Sequence, residues 1–235
     1  TAFWNYAWSP ATTNFVKPKK KDLVIYEALV RDFDANRTYQ DLINRIDYFK
    51  NLKINAIQLM PVMEFEGNLS WGYNTVFHMA LDKRYGPPAK LKEFVDLCHQ
   101  NGIAVILDLA LNHVFGRSPL VRMWMLDADG DGWGDSVATS TENPYINQYA
   151  THAYGVGSDL NHFREPDNLT NTYVIRTLRT WIQDYKIDGF RWDLTKGFTN
   201  QCTTGDETCT NGYRSDRVAK MKSYADRQWE LDPNS

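Results

Sequence analysis

Residues 103–108 read Ile-Ala-Val-Ile-Leu-Asp, five apolar side chains in a row closed by a carboxylate. A strand with one wet face alternates apolar and polar residues; an unbroken apolar run is covered on both faces, as in a parallel sheet flanked by helices. The flanks agree. Just upstream, Leu91, Phe94, Val95 and Cys98 recur at helical spacing, which predicts a helix over residues 89–101 stopped by Gly102. Further back, residues 54–60 (INAIQLM) read as a strand stopped by Pro61, and residues 22–27 (DLVIYE) as another. Between them Leu42, Ile43, Ile46 and Phe49 predict a helix over residues 39–52. Downstream, Ile175, Leu178 and Ile182 predict a helix over residues 172–185, followed by a strand at 186–192 and a last helix at 215–230.

That order is strand then helix, four times over, which implies a parallel sheet with helices packed outside it. Open doubly wound sheets and closed β/α barrels both fit the alternation. The first units are compact, whereas the third and fourth strands stand far apart. Residues 112–167 in this gap are rich in Gly, Asp, Asn and aromatics with little periodicity, so an irregular subdomain is expected on the C-terminal side of the strands.

Of the residues 43% are hydrophobic and 14% aromatic, with 8 Trp and 13 Tyr. Flat rings at this density fill cores and also line ligand clefts. A formal net charge of -3 offers no footprint for a nucleic-acid backbone. The one basic run, Lys17 to Lys21, reads as a solvated linker. No stretch approaches the roughly 18 apolar residues of a membrane helix, and no signal-peptide pattern opens the chain. Cys98 sits in the amphipathic pattern as a small core residue. Cys202 and Cys209 share a polar loop with no His nearby, which favours a disulfide over a metal pair. A disulfide carries with it an exported protein, secreted, periplasmic or at the cell surface.

Polar residues gather where the apolar runs end: Asp108, Asn112 and His113 after the third strand, Arg191 and Asp193 after the fourth. Parallel α/β folds carry their chemistry at those ends, and two carboxylates, each with a cation-capable neighbour, mark a candidate active site.

These segments resemble the α-amylase family of retaining glycoside hydrolases. Asp108-Leu-Ala-Leu-Asn-His113 is similar to the family's third-strand motif, and Gly189-Phe-Arg-Trp-Asp193 to its fourth-strand motif. Ser158-Asp-Leu-Asn161 resembles the motif near the end of the inserted subdomain, and Gly72-Tyr73 with Tyr85-Gly86 the stretch after the second strand. The resemblance implies a TIM (β/α)8 barrel, of which residues 22–111 hold the first three strands, 112–167 the inserted subdomain, and 168–235 the third helix, fourth strand and fourth helix.

It also implies roles. Asp193 is the nucleophile, and Arg191, on the same face two residues earlier, keeps it ionised. His113 donates to sugar hydroxyls, Asp108 supports Arg191, Tyr73 offers a ring face to the sugar, and Lys196 reaches toward the leaving group. The implied substrate is a starch-like α-glucan cut at internal α-1,4 bonds, with transglycosylases, neopullulanases and branching enzymes as family alternatives. A non-catalytic α-glucan binder would be expected to have lost Asp193 or Arg191, and both are present.

Calcium is expected twice. Asp127, Asp129, Asp131 and Asp135 fall at positions 1, 3, 5 and 9 of a calcium loop, with the Trp133 carbonyl at position 7, although position 12 is Ala138. The resemblance places a second ion on Asn112 and Asp159, where the His that the family carries after the Lys is Gly197 here. The family's general acid, a Glu ending strand five, and a further Asp after strand seven have no counterpart in these residues. The expectation is therefore a piece of a longer polypeptide whose remaining barrel half is its partner, with residues 1–21 connecting to an upstream domain.

Overall fold

In the computed structural model, which describes residues 5–126, 129–131, 141–164, 166 and 168–235, the chain opens with a helical turn α1 (Pro10–Thr13) and reaches the first strand, β1 (Ile25–Ala28). Short helices α2 (Val30–Phe33), α3 (Tyr39–Asn44) and α4 (Ile46–Asn51) lead to β2 (Ala56–Leu59). A hairpin of β3 (Met63–Phe65) and β4 (Thr75–Leu81) precedes α5 (Pro88–Gln100) and β5 (Ala104–Leu109). Next come β6 (His113–Val114), α6 (Pro119–Arg122) and β7 (Ser158–Asp159) of the inserted segment. The last elements are α7 (Leu169–Arg179), β8 (Gly189–Trp192), α8 (Glu207–Asn211) and α9 (Ser215–Leu231).

β1, β2, β5 and β8 form one parallel sheet in that spatial order. The pairing sets Ile57 against Val105 and Asp108 against Arg191. This is the run of first four β/α units of a TIM barrel, an open arc with β1 and β8 as its edges. The core lies between sheet and helices: Ile57, Leu59, Val105 and Leu107 meet Phe49, Phe94 and Trp181, all out of contact with solvent. Burying each such side chain contributes roughly 1.5–3 kcal/mol, so Phe94→Ala removes about 3–5 kcal/mol.

The helices end where local chemistry dictates. Pro88 starts α5, where its missing N–H costs no hydrogen bond. The helix closes with Gly102 N–H on the His99 carbonyl at 3.1 Å and Ile103 N–H on the Cys98 carbonyl at 2.9 Å, the bonding of a Schellman cap that aims the chain straight into β5. The helix expected over residues 39–52 is broken at Arg45, whose backbone (φ -107, ψ 18) leaves helical geometry while its side chain holds Asp34 at 2.8 Å. α7 runs on as a wider π-turn, Thr180–Asp184, that lets the Trp181 indole N–H reach the His78 carbonyl at 2.9 Å.

Two features were not expected. One is the β3–β4 hairpin, which pairs with register shifts at Met63, Glu64 and Phe65. The other is the docking of the N-terminal segment, where Lys17 departs from the solvated run foreseen while Lys19, Lys20 and Lys21 are exposed. The Lys17 side chain is 14% exposed, and its ammonium donates to the Asp188 carbonyl at 3.0 Å and pairs with Asp232. Ser9 and Thr12 hydroxyls donate to Asp96 at 2.8 and 2.5 Å, and the Phe15 ring stacks on His99 at 4.1 Å. Cys202 and Cys209 form a disulfide, as their placement predicted, and Cys98 is a buried free thiol. No helix among the described residues is long and apolar enough to cross a membrane.

Candidate active site

β5 and β8 end side by side, and their register puts Asp108 directly opposite Arg191. Arg191 Nη1 donates to both Asp108 oxygens at 3.0 Å and to Asp193 Oδ1 at 2.5 Å. One guanidinium thus bridges two carboxylates on adjacent strand ends, a charge-assisted arrangement that fixes both in orientation. Burial works against the Arg191 charge, but the hydrogen bonds and charges of Asp108 and Asp193 more than reverse it, and its pKa is raised.

The two carboxylates differ. Asp108 has no solvent contact. Burial raises its pKa, with the Tyr73 and Arg191 hydrogen bonds pulling the other way. The Asp193 side chain is 20% exposed, and its backbone N–H is anchored on the Leu109 carbonyl at 2.8 Å. Immediately after it, Leu194 takes the left-handed conformation (φ 45, ψ 48). An L side chain pays strain for that, and the result here is an abrupt turn that leaves the Asp193 carboxylate at the open end of the sheet.

Tyr73 arrives from the β3–β4 connection. Its hydroxyl donates to Asp108 Oδ2 at 2.7 Å, and burial with the Asp108 bond raises the pKa of its phenol. Gly72 makes the approach possible: its φ is +96, and a Cβ there would lie 2.5 Å from the Pro61 carbonyl oxygen. His113 Nε2 contacts the Tyr73 carbonyl at 2.6 Å, and Nδ1 contacts the Asn112 amide. Burial lowers the His113 pKa, and Nε2 donates to the Tyr73 carbonyl. His113 is buried and braces the Tyr73 backbone.

Asp108, Arg191, Asp193, Tyr73 and His113 are therefore one bonded set. Lys196 stands apart from it. It lies on the turn Thr195–Gly197 and donates to Asn211 Oδ1 at 2.5 Å, with its ammonium 5.7 Å from the centre of the Tyr154 ring. Asn211 and the Tyr154 hydroxyl also bond each other. Neither residue was singled out from the sequence, nor was Trp71, 60% exposed and two residues before Tyr73. An exposed Trp beside a Gly-Tyr turn was the available signal for the last.

Of the calcium loop, Asp127, Trp133 and Asp135 lie outside the described residues. Asp129 and Asp131 are exposed, and the Asp131 N–H donates to Asp129 Oδ1 at 3.2 Å. The second expected ion is a different matter. Asn112 and Asp159 do lie together, because β6 pairs with β7 and the Leu160 N–H bonds the Asn112 carbonyl at 2.9 Å. The Asp159 carboxylate is already taken, however. Oδ2 accepts from Asn147 Nδ2 at 2.8 Å and from Thr151 N and Oγ1 at 3.2 and 3.3 Å, while Oδ1 meets His152 Nε2 at 3.1 Å. A carboxylate offers about four lone-pair sites, and calcium asks for six to eight oxygen ligands. Among the described residues no three His, Cys, Asp or Glu side chains are grouped to hold a metal.

A family profile described as alpha amylase, catalytic domain, matches residues 30–119. The chain is 33% identical over 182 residues to a malto-oligosyltrehalose trehalohydrolase of Rhizobium sp. (strain M-11), covering 76% of this chain and 26% of that protein. It is 27% identical to an isoamylase of Pseudomonas amyloderamosa, over 82% of this chain and 29% of the relative. In structure it is similar to a pullulanase complexed with maltotetraose from Anoxybacillus sp. LM18-11. That likeness has a TM-score of 0.67 at 26% identity and covers 95% of this chain and 34% of the other. The chain thus spans about a quarter to a third of the length of these relatives.

Proposed function

The chain belongs to the alpha-amylase catalytic-domain family, and from that premise we propose that it carries the nucleophile half of the active site of a retaining glycosidase cutting internal α-1,4 bonds of starch-like glucans. The observation that carries this reading is the bridged pair: a guanidinium holding a buried Asp108 and an accessible Asp193 at adjacent strand ends. Asp193 Oδ attacks the anomeric carbon as the glycosidic C–O bond breaks and the leaving oxygen takes a proton. Water then attacks the glucosyl ester, gives up a proton, and frees Asp193. Retention needs the proton carrier about 5 Å from the nucleophile. Asp108 cannot serve, because both its oxygens are engaged with Tyr73 and Arg191 out of solvent. The acid is therefore assigned to the second half of the barrel, which would also pair the β1 and β8 edges of the arc.

Arg191 keeps the attacking carboxylate oriented and supplied with a counter-charge. Tyr73 presents its ring beside Asp108 as a sugar platform, held by His113 from behind. The disulfide supports an oxidising location, secreted or periplasmic, and the acidic run at residues 127–135 is assigned calcium on its spacing. The names of the three relatives favour a second reading, a family member specialised for another α-glucan linkage. Comparing products from linear amylose, amylopectin and pullulan separates the two. The nucleophile assignment is tested by Asp193→Ala in the full-length protein: starch hydrolysis is expected to vanish, and hydrolysis at the unaltered rate would refute it.

A further inference from the structure

The site for a cation at the junction of inserted segment and barrel is filled by protein. His152 Nδ1 accepts the Tyr154 backbone N–H at 3.1 Å, which leaves the ring proton on Nε2, pointed at Asp159 Oδ1. Asn112 is the other expected ligand. Its Oδ1 meets His113 Nδ1, so its Nδ2, a donor and no ligand for a cation, is the end turned toward Gly197. A Cβ at Gly197 would lie 2.5 Å from Asn112 Nδ2 and 3.1 Å from His152 Nε2. A side chain at 197 would collide with the Asn112 amide, which accounts for glycine where the family carries His. His152 and Asp159 are both buried.

We infer that this junction takes no divalent cation, and that the imidazole of His152 supplies the donor that holds the Asp159 carboxylate where an ion would sit. Removing His152 leaves a buried carboxylate without its Oδ1 partner, a costly state. The inference goes beyond the proposed activity, and its readout is stability, so it stands or falls separately from the glycosidase reading.

The test is thermal unfolding of the full-length protein in which Asp129→Asn and Asp131→Asn have silenced the acidic run, measured in millimolar calcium chloride and in chelator. The expected result is one midpoint in both buffers and no heat of calcium binding by calorimetry. In the same background His152→Ala lowers the midpoint by several degrees, and His152→Gln, which keeps an N–H donor, recovers part of the loss. A midpoint raised by calcium, with the rise abolished by Asp159→Asn, would overturn the inference, as would a His152→Ala midpoint equal to that of the parent. Should His152→Ala fail to fold, the comparison of calcium with chelator decides alone.

Discussion

Strand β8 and its approach carry an aspartate at each end, and the two are opposites. Asp188, entering the strand, is wrapped: Oδ2 accepts from His99 Nε2 at 2.8 Å and the Val105 N–H at 2.7 Å, and Oδ1 faces Lys17 at 3.6 Å. Asp193, leaving it, has its described side-chain bond to Arg191 and keeps 20% of its side chain in solvent. Parallel β/α folds put stability at the first end and chemistry at the second. The pair shows how: saturation of the lone pairs makes a carboxylate structural, and incomplete saturation at an open strand end leaves one able to react.

The sharpest way to break that contrast is to exchange its terms. Asp193→Asn is expected to lower kcat by at least ~10³-fold while costing about 1 kcal/mol or less of stability, because Arg191 keeps Asp108 as its partner. Asp188→Ala is expected to do the reverse, costing about 1–3 kcal/mol for each buried donor it strands, His99 Nε2 and the Val105 N–H, while the folded fraction keeps its kcat. Urea unfolding and initial rates on soluble starch measure both, and a stability loss for Asp193→Asn equal to that of Asp188→Ala would erase the distinction.

A pH series sharpens it next. Burial pulls His78 down to about 4 and His162 to about 3, so the folded protein keeps both rings neutral. The unfolded chain protonates them as pH falls through about 6.5. Stability is therefore complete above that pH and is lost as pH drops toward 4, by on the order of 3 kcal/mol for His78. His78→Gln is expected to flatten this slope in denaturant titrations between neutral pH and about 4. The smallest effect is assigned to Tyr73→Phe, which removes one hydrogen bond to the buried Asp108 at a cost of about 1.5–3 kcal/mol or less. A rise in KM larger than the fall in kcat would identify its ring as a platform already weakened.

The sequence was most legible where burial alone decides. β2, β5, α5 and α9 fall within a residue or two of expectation because their apolar pattern reports both faces directly. The β3–β4 hairpin was not legible, since Met63–Phe65 is too short to alternate and its pairing slips. Nor was the break at Arg45, where Leu42, Ile43, Ile46 and Phe49 keep helical spacing across a backbone that leaves the helix. In the site, the positions of Asp108, Arg191 and Asp193 follow from motif spacing, and the structure joins them with Tyr73 and His113. What spacing could not convey is which acceptor His113 meets, or that His152 would arrive from elsewhere in the chain to occupy Asp159. Both depend on loops closing in three dimensions.

The most direct measurement is to treat the full-length protein with a fluorinated α-glucosyl donor that slows deglycosylation, and to map the adduct by peptide mass spectrometry. The account predicts one glucosyl ester, on the peptide carrying Asp193 and absent in Asp193→Asn. An adduct on another carboxylate, or turnover with inverted anomeric configuration, would contradict it.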